Sequence, residues 1–319
     1  MLEYGVVRSF QFLVVWITDQ FNCQCGTDME LAVPIPPQFG YKRTVLSHGW
    51  YDLPPFHFDR ANWALNRVLS IAPGKAVEIR IRQQGDSLGI SVPVRVSNKE
   101  MRSLETSVRH MLRLDESFTE FYDLIAADPD LSWVPVEGAG RLLRAPTVFE
   151  DLVKMMCTTN CSWALTARMV KTFVELGIPA KGGRKAFPTA AEMAAMPESF
   201  YREEAGCGYR SSYLKGLADQ VASGEVDVES WLTSEAPTPE LKKEIKRIKG
   251  AGDYVAENIL KLVGRYDGMA LDSWIRGKFS KIHAKGRAVT DKRIGRHYSR
   301  FGRWTGLALW CDMTRDWIQ

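Results

Sequence analysis

The residues with the clearest chemical potential lie between residues 245 and 276. Gly250 and Gly252 are one residue apart, and they separate a basic helical turn from an apolar helical pattern. A turn without side chains lets the N–H groups at the start of the next helix approach a phosphate closely. Asp272 follows the second helix after a short glycine-containing loop. On spacing alone, the glycines could equally form a helix C-cap and the aspartate an N-cap.

Positive charge is concentrated around these residues. The 319-residue chain has a net charge of +4, but Lys and Arg greatly outnumber Asp and Glu between residues 241 and 303. A basic C-terminal part on an otherwise acidic body favours a surface that faces a polyanion. A lysine-rich face that is only solvated would give the same pattern, so the charge alone leaves both interpretations open.

The composition is that of an ordinary globular protein, with 45% hydrophobic and 25% charged residues. No stretch of the sequence is long and apolar enough to predict a membrane span. The six cysteines, at positions 23, 25, 157, 161, 207 and 311, do not form a paired CxxC zinc pattern. We therefore expect no metal site, and the scattered cysteines suit a reducing compartment.

The sequence predicts an α+β protein with three parts. Residues 1–33 form a poorly defined segment whose apolar run is too short for a membrane span, and Met29 would be an equally sensible first residue. Residues 34–115 are predicted to be β-rich, because apolar residues alternate over 75–82 and 90–96 around a turn at 84–86. A helix is predicted over 62–69, before these strands.

Residues 116–319 follow a helical period and are predicted to form a helical domain. Helices are predicted over 99–114, at the end of the β-rich part, and over 117–127, 148–176, 190–200 and 211–223. The third of these helical patterns is interrupted by small polar residues over 157–163, which indicates a corner between two helices. An acidic connector is predicted over 225–240, the helical hairpin over 245–263, and a closing amphipathic helix over 304–319.

The hairpin with its following aspartate resembles the HhH-GPD superfamily of base-excision DNA glycosylases, which includes 3-methyladenine DNA glycosylase II and the 8-oxoguanine DNA glycosylases. The resemblance covers roughly residues 45–319. It implies a mostly α-helical HhH-GPD core with a small antiparallel β-sheet domain before it. In that superfamily the hairpin holds the DNA backbone and the aspartate faces a flipped nucleotide. The resemblance therefore implies that Asp272 is catalytic, with phosphate contacts from Lys249, Gly250, Gly252, Arg276 and Lys278.

Breaking an N-glycosidic bond places positive charge on the sugar, and one carboxylate can stabilise that charge or activate water without a metal. The damaged base must first leave the stack, which requires an aromatic pocket and a wedge. The resemblance assigns Tyr254 and Asn258 to the base pocket, Asn160 and Tyr209 to the wedge, and Arg210 to the opposite base. From spacing alone, Asn160 could also cap the next helix, and Tyr209 with Arg210 could simply pack at a helix start.

Tyr254 is the residue that bears on the reaction subtype. Bifunctional members of the superfamily have a lysine two residues after the second glycine, which forms a Schiff base. A phenol cannot do so, and the resemblance therefore predicts a monofunctional glycosylase. Alkyladenine glycosylases also have an aromatic residue there, which favours alkylated purines. Asn160 and Gly208–Arg210 favour the 8-oxoguanine branch instead, but Leu165 stands where that branch has a second arginine.

Three other functions stay open at this point. An 8-oxoguanine-type glycosylase with AP lyase activity would need Lys249 or Lys261 as its amine, and neither is at the superfamily position. Helix-hairpin-helix units also occur in non-catalytic DNA-binding proteins, although the presence of Asp272 at the catalytic position argues against that interpretation. A helical scaffold for protein interactions does not explain the basic segment.

The resemblance also implies partners and cofactors. The expected partner is double-stranded DNA that contains a damaged base, with no membrane, and the protein is expected to be a monomer. No cofactor is expected: some members have a four-cysteine iron–sulfur loop near the C-terminus, where Cys311 stands alone. A monovalent cation at the hairpin is the one ion that the resemblance allows. The expected location is cytoplasmic and nucleoid-associated in a bacterium, or the nucleus or an organelle in a eukaryote.

Overall fold

The computed structural model describes residues 29–318. Most of the predicted N-terminal segment, residues 1–28, lies outside the described residues. The first strand starts at Met29, five residues before the predicted start of the β-rich part. Five antiparallel strands form one sheet in the order β1-β5-β4-β3-β2. They are β1 (Met29–Pro34), β2 (Phe56–Asp59), β3 (Ala64–Ala72), β4 (Lys75–Gln84) and β5 (Ser87–Val92).

The described residues form thirteen α-helices, and all but the first follow the sheet. They are α1 (Tyr41–Val45), α2 (Asn98–Met111), α3 (Thr119–Ile125), α4 (Trp133–Val136), α5 (Val148–Cys157), α6 (Trp163–Val174), α7 (Ala190–Ala194), α8 (Ser211–Ala222), α9 (Thr238–Ile245), α10 (Asp253–Leu262), α11 (Ser273–His283), α12 (Asp291–Tyr298) and α13 (Thr305–Thr314). The expected α+β class, with a small antiparallel sheet near the N-terminus, is confirmed. None of these helices is long and apolar enough to cross a membrane.

The helix predicted over residues 62–69 is wrong, because this segment belongs to β3. The strand pairs with β2 on one side and β4 on the other, with Leu65 opposite Ile81 and Leu69 opposite Val77. Its first six residues are all buried. Because both faces of the strand are covered, its apolar residues do not alternate: Leu65, Val68 and Leu69 have spacings of three and four residues, which is the period of a helix.

Two further helix predictions need correction. The first helix of the hairpin is α9, so it begins within the predicted acidic connector and ends where the hairpin was expected to begin. The C-terminal helix α13 is not amphipathic, because every one of its residues except Trp310 is buried. Gly306 allows this close packing, since a Cβ atom there would lie 1.9 Å from the carbonyl oxygen of Gly268.

Buried charges attach the sheet to the helical core. The guanidinium of Arg67, on β3, donates two hydrogen bonds of 2.8 and 2.6 Å to the carboxylate of Glu150, on α5. The ammonium of Lys154 lies 2.6 Å from the same carboxylate. All three side chains are at most 2% exposed. Charges this deeply buried are tolerated only when they are paired, so these contacts fix where α5 sits on the sheet.

Candidate active site

The turn between α9 and α10 forms one wall of a surface groove. Gly250 has φ of +94°, and a Cβ atom there would lie 2.7 Å from the ring of Tyr213 and 2.9 Å from Met156 Cε. Gly252 is the N-cap of α10 with φ of −72° and no side-chain cap, and a Cβ atom there would meet nothing within 4 Å. The first glycine is therefore required by the turn itself. The second leaves the N–H groups of α10 open to an anion.

Of the basic side chains predicted to contact phosphate, Lys249 lines this groove. Lys249 lies beside the turn, with its ammonium 5.3 Å from the ring centroid of Tyr213. Arg276 and Lys278 are not among the described residues that line the groove. The guanidinium of Arg276 donates hydrogen bonds of 2.7 and 2.9 Å to Asp291, and Lys278 is paired with Asp316. These two cations lie on α11, where neighbouring carboxylates already neutralise them.

The opposite wall of the groove contains the predicted wedge residues. Asn160, in the corner between α5 and α6, has φ of +47°, and its amide donates a 3.3 Å hydrogen bond to the phenol oxygen of Tyr209. Tyr209 is 52% exposed. Arg210 is buried behind it, where its guanidinium lies 4.5 Å from the Tyr209 ring and donates a 3.1 Å hydrogen bond to the hydroxyl of Thr159. Asn160 and Tyr209 are thus exposed in the groove, whereas Arg210 also lines it but is largely buried.

A second cavity, of about 290 Å³, adjoins the groove. Thr158, Cys161, Tyr254 and Asp272 line both spaces, so these four residues form the mouth through which groove and cavity connect. Farther from the groove, the walls are aromatic. The tryptophans that line the cavity are Trp50, Trp163, Trp274, Trp310 and Trp317.

Hydrogen bonds hold several of these aromatic walls in place. The indole N–H of Trp50 donates to Asp151 at 2.6 Å, that of Trp163 donates to Asp52 at 2.8 Å, and that of Trp310 donates to the carbonyl oxygen of Ser47 at 2.9 Å. Since indole has a single donor, each ring is fixed in orientation before any ligand arrives. These three aromatic walls of the cavity are therefore preformed.

Asp272 stands at the mouth as the N-cap of α11. One of its carboxylate oxygens accepts a 2.7 Å hydrogen bond from the N–H of Ile275. Tyr254 lies in the same lining, and burial raises the pKa of its phenol, with a further increase from the negative charge of Asp272. The tyrosine is therefore neutral at physiological pH. The mouth thus contains one fixed carboxylate beside a neutral phenol.

Two polar residues of α10, Asn258 and Lys261, also line the cavity. Asn258, predicted for the pocket, lines the cavity, and its amide donates a 2.9 Å hydrogen bond to the carbonyl oxygen of Tyr254. Lys261 also lines the cavity, although it is only 3% exposed. Residues 254, 258 and 261 are four and three apart, which places them on one face of α10. That spacing could have identified Lys261 as a pocket residue.

One group of three side chains within the described range is close enough to hold a metal ion. The ligand atoms of Asp130, His283 and His297 lie within 4.8 Å of one another. His283 also bonds Asp312 at 2.7 Å through Nε2. This group is at the C-terminal end of α11, about 16 Å of helix from the N-cap Asp272. It is thus separate from the hairpin, where the sequence analysis had allowed a monovalent cation.

Comparison of the chain with known proteins gives structural matches only. No protein-family model and no curated protein sequence matches it. MBOgg1, solved in complex with a low-affinity DNA ligand, has a TM-score of 0.71 at 21% identity, covering 92% of this chain and 97% of its own. The 3-methyladenine DNA-glycosylase from Archaeoglobus fulgidus has a TM-score of 0.70 at 18% identity, covering 91% and 100%. The apo 8-oxoguanine glycosylase/lyase from Clostridium acetobutylicum has a TM-score of 0.68 at 21% identity, covering 92% and 98%. The fold that the sequence resemblance implied is confirmed: this chain has the fold of these DNA glycosylases.

Proposed function

We propose that this protein is a DNA repair glycosylase that flips a damaged base out of duplex DNA and hydrolyses its N-glycosidic bond. The observation that carries the proposal is the shared mouth. Asp272 lines both the hairpin groove and the aromatic cavity. If a DNA strand binds in the groove, a base flipped out of that strand would enter the cavity. The glycosidic bond of this base would then lie at the mouth, beside the Asp272 carboxylate.

The residues support each step of such a reaction. The N–H groups of α10 and Lys249 bind a backbone phosphate, while Asn160 and Tyr209 fill the space that the base leaves in the duplex. The tryptophans stack on the flipped base. As the bond from C1′ to the base nitrogen breaks, the bonding electrons go to the base, and the Asp272 carboxylate stabilises the cationic sugar. Water then adds its oxygen to C1′, and the carboxylate assists the loss of its proton.

Tyr254 supports a monofunctional reaction. It occupies the position from which bifunctional superfamily members supply their lysine, and its neutral phenol cannot form an imine with C1′. The tryptophan walls suit electron-poor bases, because an aromatic face attracts a positively charged ring. Alkylated purines, the substrates that the sequence predicts, have this property. The partner in this proposal is double-stranded DNA that contains a damaged base, and the protein acts on it as a monomer.

The proposal is tested with duplex oligonucleotides that each carry one lesion: alkylated adenine, hypoxanthine, 8-oxoguanine or uracil. Base release is measured as strand breaks after alkali, with parallel samples left without alkali. We expect release of at least one base that yields a nick only after alkali. Nicking without alkali would show a lyase and refute the monofunctional assignment. Tight duplex binding without release of any base would make the protein a non-catalytic DNA-binding module.

A further inference from the structure

Lys261 places a cation inside the cavity, at a distance from the mouth. It lies seven residues after Tyr254, which is two turns or about 10 Å along α10. Tyr254 lines both the groove and the cavity, whereas Lys261 lines the cavity and is not among the described residues that line the groove. Because Lys261 lines the cavity and not the shared mouth, a base bound in the cavity would present to it the edge that is remote from the sugar.

The backbone around Lys261 is firmly held. The buried guanidinium of Arg113 donates hydrogen bonds of 2.8 Å to the carbonyl oxygen of Lys261 and 2.5 Å to that of Leu262. Arg144 donates a further 3.2 Å hydrogen bond to Leu262. These contacts add donors to carbonyl groups at the C-terminal end of α10, where the N–H of Gly264 also donates a 3.2 Å hydrogen bond to the carbonyl oxygen of Lys261. The start of the Lys261 side chain is thereby fixed relative to the cavity.

The ammonium group of Lys261 is not paired with a carboxylate of the described residues. It makes no hydrogen bond or salt bridge with any residue that the structure describes, and it lies 5.9 Å from the ring centroid of Trp310. Burial lowers the pKa of Lys261 to about 8, against the opposing charges of Glu257 and Asp272. Most molecules therefore carry the charge at neutral pH. A buried cation without a partner is costly, and an acceptor atom on a ligand would relieve that cost.

We propose that the Lys261 ammonium donates a hydrogen bond to a carbonyl oxygen on the edge of the flipped base that is remote from the sugar. This inference rests on the proposed glycosylase function and names its substrate class. In a purine the sugar is attached at N9, and the group on C6 lies across the ring system. A 6-oxo group accepts from an ammonium, whereas a 6-amino group presents a second donor. The cavity therefore selects 6-oxopurines, such as hypoxanthine and guanine-derived lesions, over 6-aminopurines.

The position of Lys261 also distinguishes hydrogen bonding to the base from the role of a lysine that forms a Schiff base with the sugar. An amine that attacks the sugar has to reach C1′, which in the proposed complex lies at the mouth beside Asp272. The Cα atom of Lys261 is about two helical turns from that of Tyr254, and Lys261 does not line the mouth. The backbone of this lysine thus starts farther from C1′ than that of a lysine at position 254 would.

The test compares bases that differ at C6 but match in charge. DNA treated with dimethyl sulfate contains 7-methylguanine, with a 6-oxo group, and 7-methyladenine, with a 6-amino group, and chromatography quantifies each released base. A duplex with one hypoxanthine provides a neutral 6-oxopurine. We expect the wild-type protein to release 7-methylguanine faster than 7-methyladenine, and to release hypoxanthine as well. Lys261→Met should lower the ratio of 7-methylguanine release to 7-methyladenine release roughly ten- to hundredfold, the effect of losing one hydrogen bond to a charged group. Lys261→Gln keeps a donor and should restore part of the loss.

Each other outcome has a distinct meaning. Equal losses on both classes of base would show that Lys261 supports the fold or the reaction in general, and would overturn the inference. A borohydride-trapped adduct that disappears in Lys261→Met would make the lysine a nucleophile and overturn it as well. If neither variant folds, as judged by circular dichroism, the wild-type rates decide: equal release of the two methylated bases refutes selection at C6. A wild-type protein that releases no base refutes the proposed function instead.

Discussion

The two glycines of the hairpin should respond to the same substitution in opposite ways. In Gly250→Ala the new methyl group would occupy a left-handed backbone position, which costs about 1–2 kcal/mol. It would also lie 2.7 Å from Tyr213 and 2.9 Å from Met156, and overpacking of this kind costs about 1–3 kcal/mol. We expect the free energy of unfolding to fall by roughly 2–5 kcal/mol.

Gly252→Ala is the matched variant. Its backbone conformation is open to any residue, and a Cβ atom there meets nothing within 4 Å. Replacing an N-cap glycine by alanine should cost about 1 kcal/mol or less. The methyl group would, however, project into the space that a phosphate needs to reach the N–H groups of α10. Loss of one such charge-assisted hydrogen bond should weaken DNA binding roughly ten- to hundredfold.

Urea unfolding of both variants gives the stability changes, and fluorescence anisotropy with a duplex that contains a stable abasic-site analogue gives the affinities. The affinities are compared at two salt concentrations, because contacts to phosphate weaken with salt. A Gly250→Ala protein as stable as wild type would refute the steric argument for the turn. Wild-type affinity in Gly252→Ala would show that the phosphate binds elsewhere.

Three further predictions concern charged side chains. Asp272→Asn should slow base release by about 10²–10³-fold, as for removal of a group that stabilises transition-state charge. It should keep the fold because asparagine is also a good N-cap, whereas Asp272→Ala should in addition lose about 1 kcal/mol of stability. Single-turnover release and thermal unfolding test this pair, with Asp291→Asn as a control outside the mouth. Arg67→Met should lower the free energy of unfolding by about 3–5 kcal/mol, since it leaves the Glu150 carboxylate buried with one partner fewer; urea unfolding with no measurable loss would contradict this. Burial alone would raise the pKa of Glu116, but the charges of Arg113 and Arg144 outweigh this effect and lower the pKa to about 2. The stability that the Glu116 carboxylate provides is therefore present above its ordinary pKa of 4.5 and lost as the pH falls towards 2, so wild type should lose more stability than Glu116→Gln over this range in urea unfolding.

The sequence predicts those parts of the molecule that local pattern determines. The strands β4 and β5 alternate because one face is buried, and the hairpin shows in the spacing of Gly250 and Gly252. The strand β3 was missed because it is buried throughout its first six residues. The pairing of Arg276 with Asp291 on the next helix was also missed, since no local pattern reveals which carboxylate a basic residue on a helix surface will meet.

The tryptophan cavity shows the same limit more clearly. Its walls come from residues 50, 163, 274, 310 and 317, which belong to widely separated parts of the chain. Only the packing of the sheet domain, α6, α11 and the C-terminal segment brings them together. The sequence predicts only an amphipathic helix over 304–319, and two tryptophans of that segment, Trp310 and Trp317, line the cavity.

The helix α10 sets the distance between the DNA backbone and the inner end of the cavity. Its N–H groups face the groove, Tyr254 stands at the mouth, and Lys261 lies inside, all on ten residues that span about 15 Å. Arg113 and Arg144 hold the C-terminal carbonyl groups of this helix and place positive charge at the negative end of its dipole. Because a packed helix moves as a unit, phosphate binding and base recognition cannot shift independently. A base that fits the cavity while its phosphate is misplaced would lose the hairpin contacts, and this coupling favours a flipped nucleotide over a free base.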